Sequence, residues 1–483
     1  MTSAAPPPVR VVHLSATGVL GEYDHTVEFG EPDDFVIVFG PNGVGKTRFL
    51  EIIDALANLR ADLLAALPFT TAEIAFSDGT VFAVTRGTAV VPAETDAHLF
   101  YLPTDSESRT PRNRRGREDK AEPVPALLFV LVRQGEVIKA PPIPFADVLD
   151  RDAGSLMSRR DRLPPQARRE FERIIQNAGM AEARAFLRHF DRAWGARHAL
   201  PETFAAFSEA LDLHLIATQR LMAMDLESSP SNGRKESGSP RPTIEQYSET
   251  VRDRLETDLS ENSRLSQRLD SIFPRLMLER REQSNMSAET IRERLGDQSK
   301  RRARIQQITP LGIQHELPLP EGELTSAQRS VLELYAEHAE QKLATFADTV
   351  EKIDLLEKIV NSRLYGKSLQ INAEDGLTIA RVSDGDRIPL AALSSGEQHE
   401  IILMFDLLFN VKPGGLVLID EPEISLHIAW QKRFIPDVLT IAKLVGFQFV
   451  IATHSPQIIE GNWRYAQRLG PKSAVFDEAE EDA

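Results

Sequence analysis

The chain has 483 residues, 42% hydrophobic and 27% charged, which suits two or three structural units better than a single core. Its 56 basic and 72 acidic side chains give a net charge of −16, so nucleic acid and anionic membrane are repelled at long range and would need a local basic patch. The absence of cysteine excludes disulfides and thiolate metal sites and suits a reducing cytoplasm, and no run approaches the roughly 20 apolar residues of a membrane helix.

In chain order, residues 10–20 and 26–30 read as short strands. Phe35-Val36-Ile37-Val38-Phe39 is a continuous apolar run, as expected of a strand buried on both faces. A glycine-rich turn leads into a helical stretch from Lys46 to about Leu67. Residues 72–86 read as a hairpin turning at Asp78-Gly79. Residues 103–125 are rich in Pro, Ser and Arg, with Arg112, Arg114, Arg115 and Arg117 close together. That pattern fits a solvated loop, or a contact for a phosphate backbone or acidic partner. Residues 160–213 read as helices, Leu211–Ala217 as a strand and 227–243 as a Ser/Gly/Pro-rich linker.

From Ile244 to Leu269 the apolar residues recur mainly in steps of three and four, which predicts an amphipathic helix, interrupted at Pro274. An Arg-rich helix over about 288–306 carries Lys300, Arg301, Arg302 and Arg304. A third runs from about Ser326 to Leu364. Together they predict a helical lobe or an antiparallel coiled-coil arm, although no regular heptad is sustained. Strands return at 368–372 and 377–382. The expected organisation is α/β: an N-terminal lobe over 1–221, a linker and helical insertion over 222–364, and a C-terminal lobe over 365–483.

Four segments carry chemistry. Gly40-Pro41-Asn42-Gly43-Val44-Gly45-Lys46-Thr47, followed by Arg48, lies between a buried strand and a helix. Its glycines let backbone N–H groups turn around phosphate oxygens, and the helix adds its positive dipole end. Lys46 is expected at the β- and γ-phosphates of a nucleotide and Thr47 on Mg²⁺. Leu416-Val417-Leu418-Ile419-Asp420-Glu421 places two carboxylates at the C-terminal end of an apolar strand, where open α/β sheets bind ligands. Asp420 is expected at Mg²⁺, and Glu421 to orient and polarise the attacking water. Ser394-Ser395-Gly396-Glu397 precedes an apolar helix, either as an anion site or as a plain N-cap. Phe447–Ala452 is a further apolar strand ending near His454, 33 residues after Glu421.

In this order the four segments resemble the ABC-ATPase family in its soluble, SMC/RecF-like branch. The resemblance implies a mixed-sheet P-loop head that binds ATP and Mg²⁺. It makes Gly40–Thr47 the Walker A loop, Leu393–Gln398 the signature, Leu416–Glu421 Walker B, His454 the switch histidine and Glu423–His427 the D-loop region. Gln219 is the candidate Q-loop glutamine. The signature departs from the usual Leu-Ser-Gly-Gly-Gln, reading Leu-Ser-Ser-Gly-Glu. In this family the signature reaches the ATP held by another copy, which implies a head-to-tail homodimer or higher oligomer.

The segments around Leu393 and Ile419–Gln431 are similar to stand-alone bacterial AAA_21/AAA_15 ATPases and to the ATPase subunits of anti-phage systems, the AriA subunits of PARIS among them. OLD-family relatives carry a C-terminal nuclease domain. Only 29 residues follow His454 here, so a nuclease effector is expected on a separate protein. The implied function is a cytoplasmic ATPase sensor or scaffold, triggered by nucleic acid or a phage protein. The alternatives are a DNA-binding repair or chromosome ATPase and a nucleotide-gated module with little turnover.

Overall fold

The computed structural model describes residues 9–30, 34–90, 123–145, 148, 200–217, 222–223, 241–279, 286–309, 322–424 and 426–471. The Arg112–Arg117 cluster, residues 160–199, Gln219 and residues 224–240 of the linker lie outside them. The chain forms two compact units: Met1–Thr218 with Val411–Ile424 and Val445–Ala483, and Gln219–Asn410 with Ser425–Leu444.

The first unit is built on two sheets. One is wholly parallel, with strand order Ala466–Arg468, Phe35–Phe39, Gln448–Ala452, Leu416–Asp420 and Leu213–Ile216. Its central strands read Phe-Val-Ile-Val-Phe, Gln-Phe-Val-Ile-Ala and Leu-Val-Leu-Ile-Asp, because a parallel sheet is covered on both faces and alternation has no advantage. The other sheet is antiparallel: Tyr23–Glu28, Val11–Val19, Thr71–Phe76, Val81–Val90, Pro123–Arg133 and Glu136–Lys139 pair in that order. Thr71–Phe76 alternates half-buried and buried residues along its length, the pattern of a strand with one face on a core.

The helix Lys46–Ala57 packs on strands of both sheets, and Phe49, Leu50, Ile52 and Ile53 join one continuous apolar core with Leu14, Ile74, Leu418 and Val450. The expected helix to Leu67 is in fact two, Lys46–Ala57 and Ala61–Ala66. Leu59 adopts a left-handed φ of 53° between them while its side chain stays in the core. Burial of Leu59 therefore wins over helix continuity, and Arg60 folds back onto Asp54.

Two glutamines clip the sheets together. Gln448 Oε1 accepts from Val11 N at 2.8 Å, and its Nε2 donates to Val11 O at 3.1 Å. Gln467 repeats the arrangement on the backbone of Glu28. Each amide supplies the paired donor and acceptor of one strand residue, so the join leaves no backbone group orphaned.

The second unit contains the helices Thr243–Glu279, Ala288–Ile308, Ser326–Ala344 and Ala347–Asn361. It also holds a three-stranded antiparallel meander, Lys367–Asn372, Gly376–Arg381 and Arg387–Ile388. Two expectations are corrected here. Pro274 does not interrupt its helix, which continues to Glu279. Pro274 and Asp270 are both exposed, so water can solvate the Asp270 carbonyl that the proline leaves without its helical donor. The stretch from Ser326 breaks at Thr345–Phe346, where Phe346 is drawn fully into a cluster with Ile305 and Leu343.

The Arg-rich helix spends its charge on its neighbours: Arg304 Nη2 lies 2.6 Å from Asp354 and 2.7 Å from Glu357, and Lys300 lies 3.0 Å from Asp297. Among the described residues no helix is long and apolar enough to cross a membrane.

Candidate nucleotide site

Three of the four segments meet in the first unit, at the C-terminal ends of neighbouring parallel strands. The loop after Phe35–Phe39 is shaped by its glycines. Gly43 and Gly45 take left-handed φ values of 87° and 88°, and a Cβ on Gly45 would meet Val19 Cγ1 at 2.9 Å. A Cβ on Gly40 would meet the Leu469 carbonyl oxygen at 2.3 Å. The loop therefore closes only without side chains there.

Beneath it lies a residue with no signal in the sequence. His25 is buried, stacked against Tyr23 and edge-on to Phe49, and its Nε2–H donates to Val44 O at 2.7 Å. Burial pushes its pKa below the usual histidine value, outweighing the Val44 carbonyl and nearby Asp24, so the neutral Nε2–H tautomer props up the loop.

Lys46 opens the helix and is buried. Its ammonium donates to Gly40 O at 2.9 Å and Pro41 O at 3.1 Å, and lies 3.5 Å from His454 Nδ1. Burial lowers its pKa, against the opposing pull of Glu421, Asp420 and Glu423. Thr47 Oγ1 stands 3.2 and 3.1 Å from the two Asp420 oxygens. Among the described residues no cluster of three or more metal-type side chains forms. This adjacent hydroxyl and carboxylate fit a hard cation that keeps several waters and takes phosphate oxygens, the habit of Mg²⁺. Arg48 is turned away onto Glu51, at 2.5 Å.

Glu421 is held at φ 44°, a left-handed conformation rarely taken by a glutamate, while its N–H donates to Ala452 O at 2.8 Å. Its Oε1 lies 3.3 Å from His454 Nε2. The expected catalytic trio of Lys46, Glu421 and His454 is thus contiguous, with His454 in the middle. Glu423, read in the sequence only as part of a D-loop region, has a second role there. Its Oε1 accepts from Thr453 Oγ1 at 2.8 Å, His454 N at 2.6 Å and Ser455 N at 3.1 Å. The only sequence signal for this is a second glutamate two places after Glu421.

The fourth segment belongs to the second unit. Ser394 N-caps the helix Ser395–Phe405 in a capping box: its Oγ accepts from Glu397 N at 3.4 Å, and Glu397 Oε2 accepts from Ser394 N at 2.9 Å. Lys367 donates to both Glu397 oxygens at 2.8 and 2.9 Å. Burial works against ionisation of Glu397, but the Lys367 and Ser394 bonds outweigh it and hold the carboxyl below its ordinary range. The unusual glutamate therefore carries a structural load. Ser394 and Ser395 remain exposed beside Gly396.

Residues 225–460 match the AAA_21 family, described as "AAA domain, putative AbiEii toxin, Type IV TA system". That stretch takes in the Ser394 cap, Asp420, Glu421 and His454, and begins after the Gly40–Thr47 loop. Over 82 residues the chain is 32% identical to the "Retron Ec83 probable ATPase" of Escherichia coli, covering 17% of this chain and 15% of that protein's length.

Two solved structures align along most of the chain. One is the Smc head domain with an extended coiled coil bound to the C-terminal domain of ScpA from Pyrococcus furiosus, at 13% identity, 98% of this chain, 99% of that one and a TM-score of 0.33. The other is the SMC head domain from Thermotoga maritima, at 11% identity, 96% of this chain, 100% of that one and a TM-score of 0.30. Over the matched residues the chain is thus similar to proteins described as carrying an AAA domain and to a probable ATPase.

Proposed function

We propose that this chain, carrying that AAA domain, binds ATP with Mg²⁺ and hydrolyses it to ADP and phosphate. The supporting observation is that Lys46, Thr47, Asp420, Glu421 and His454 converge on one end of one parallel sheet, each within hydrogen-bonding reach of another. Mg²⁺, when bound, neutralises phosphate charge and orients the phosphoryl group. The loop amides of Gly40–Thr47 and Lys46 bind and fix the phosphates, and Thr47 and Asp420 supply hard oxygen ligands. Glu421 accepts hydrogen bonds from the attacking water and aims it. His454, between Lys46 and Glu421, keeps donor and acceptor in register.

The test is phosphate release with Mg²⁺ from the wild-type chain, Lys46→Ala and Glu421→Gln. Turnover lost in both, with ATP binding lost only in Lys46→Ala, is the expected result. Equal turnover in all three, or none in the wild type, sinks the reading.

The exposed Ser394 and Ser395 support a head-to-tail assembly of two or more copies, in which that turn meets the triphosphate of a neighbour. Likeness to a retron ATPase and to a family described by a toxin name supports a role like that of the AriA-type subunits. In that role the ATPase restrains a separate effector, a nuclease, in anti-phage defence and releases it on a nucleic-acid or phage-protein trigger. Co-purification with the product of an adjacent gene, released by nucleotide in the wild type but not in Glu421→Gln, tests it. The alternative of a DNA clamp is weakened by Lys300 and Arg304, whose charges face carboxylates of the same unit.

A further inference from the structure

Glu423 is assigned to neither phosphate nor metal, yet it accepts three hydrogen bonds. Three donors from three successive residues converge on one oxygen: the Thr453 hydroxyl at 2.8 Å, the His454 N–H at 2.6 Å and the Ser455 N–H at 3.1 Å. Its other oxygen is buried and makes no hydrogen bond. A carboxylate held this way fixes backbone rather than a single side chain.

The residue it fixes is the one whose ring bridges the site. His454 Nε2 lies 3.3 Å from Glu421 Oε1, and Nδ1 lies 3.5 Å from Lys46 Nζ. Glu421 and Glu423 leave the same strand end two residues apart. One loop therefore grips His454 twice, by its ring through Glu421 and by its backbone through Glu423. The Thr453 side chain is buried within the same grip and also accepts from Ser455 N at 3.0 Å.

We propose that Glu423 is a positioning residue: it locks the 453–455 turn to the loop that bears Glu421, so that the histidine ring and the water-orienting carboxylate keep a fixed separation during hydrolysis. This inference rests on the ATPase reading above.

The experiment compares kcat and KM for ATP, with Mg²⁺, in the wild type, Lys46→Ala, Glu423→Ala and Glu423→Gln, alongside thermal unfolding. Glu423→Ala should lower kcat by roughly a hundredfold, the scale of an ångström-sized misplacement, and leave KM within about threefold. Glu423→Gln keeps one carbonyl oxygen for the three donors and should restore kcat to within about tenfold of wild type. Should Glu423→Ala not fold, Glu423→Asp, one methylene shorter, should give the same loss of kcat at unchanged KM.

Wild-type kcat in Glu423→Ala overturns the proposal. So does a parallel loss of kcat, ATP affinity and melting temperature in both the alanine and glutamine variants, which would make Glu423 a support of the whole lobe. Lys46-dependent turnover that ignores Glu423 sinks this inference alone, whereas a wild-type chain without such turnover takes the ATPase reading down with it.

Discussion

Thr47 Oγ1 reaches both carboxylate oxygens of Asp420, at 3.2 and 3.1 Å, across a sequence separation of 373 residues. Thr47 is exposed at the first turn of its helix, and Asp420 is buried at a strand end with only 4% of its surface accessible.

Removing either oxygen ligand should weaken metal binding rather than the fold. Thr47→Ala is expected to raise the Mg²⁺ concentration for half-maximal turnover by about 10- to 100-fold, at least what an outer-sphere partner costs. A Mg²⁺ titration of phosphate release checks it, and an unchanged midpoint refutes it.

Glu421 combines a chemical role with backbone strain, since φ is 44°. Glu421→Gln keeps the strain and should lower kcat by about 10²- to 10⁴-fold, the range of a lost general base, with ATP still bound. Glu421→Gly should lose activity equally yet raise stability by about 1 kcal/mol, because glycine adopts this conformation freely. Urea unfolding of the two variants separates the effects; equal midpoints would show that the strain is not stored there.

Lys46 should cost the nucleotide-free protein stability. Its pKa is lowered by burial, so the folded state disfavours the charged amine. Below the lowered folded value the group is charged in both states and the full penalty applies. The penalty fades as pH rises through that value towards the ordinary 10.5 of the unfolded chain. Lys46→Met is therefore expected to melt no lower than wild type without nucleotide while losing ATP binding. A drop of several degrees would contradict this.

His25 gives a second pH dependence with the same cause, burial that disfavours the charged form, in a lower pH range. It is neutral when folded, with a pKa below the ordinary 6.5, so the unfolded chain binds the extra proton first as pH falls. Stability contributed by the neutral ring is complete above about 6.5 and declines below it, down to the lowered folded value. Unfolding midpoints at pH 7.5 and 5.5 should differ more for wild type than for His25→Gln, which retains a donor for Val44 O. Identical pH slopes would remove His25 from the account.

The local chemistry of this protein was legible in its sequence. Gly40–Thr47 read as a turn between a buried strand and a helix, because its closely spaced glycines weaken helix and strand and enter left-handed backbone freely. Asp420, Glu421 and His454 had to end apolar strands, because Val417–Ile419 and Phe449–Ile451 are too uniformly apolar for a half-exposed sheet. Periodicity located the long helices but not their breaks: Leu59 and Phe346 end helices through burial against distant partners, and Pro274 fails to end one because its surroundings are wet.

What only the tertiary structure decided is which distant groups share a few ångströms. His25 under Val44, the Gln448 and Gln467 clips and the grip of Glu423 on residues 453–455 depend on strand order in the sheets. Strand order is set by how the apolar faces pack, through contacts between residues hundreds of positions apart, and no local window of sequence encodes it.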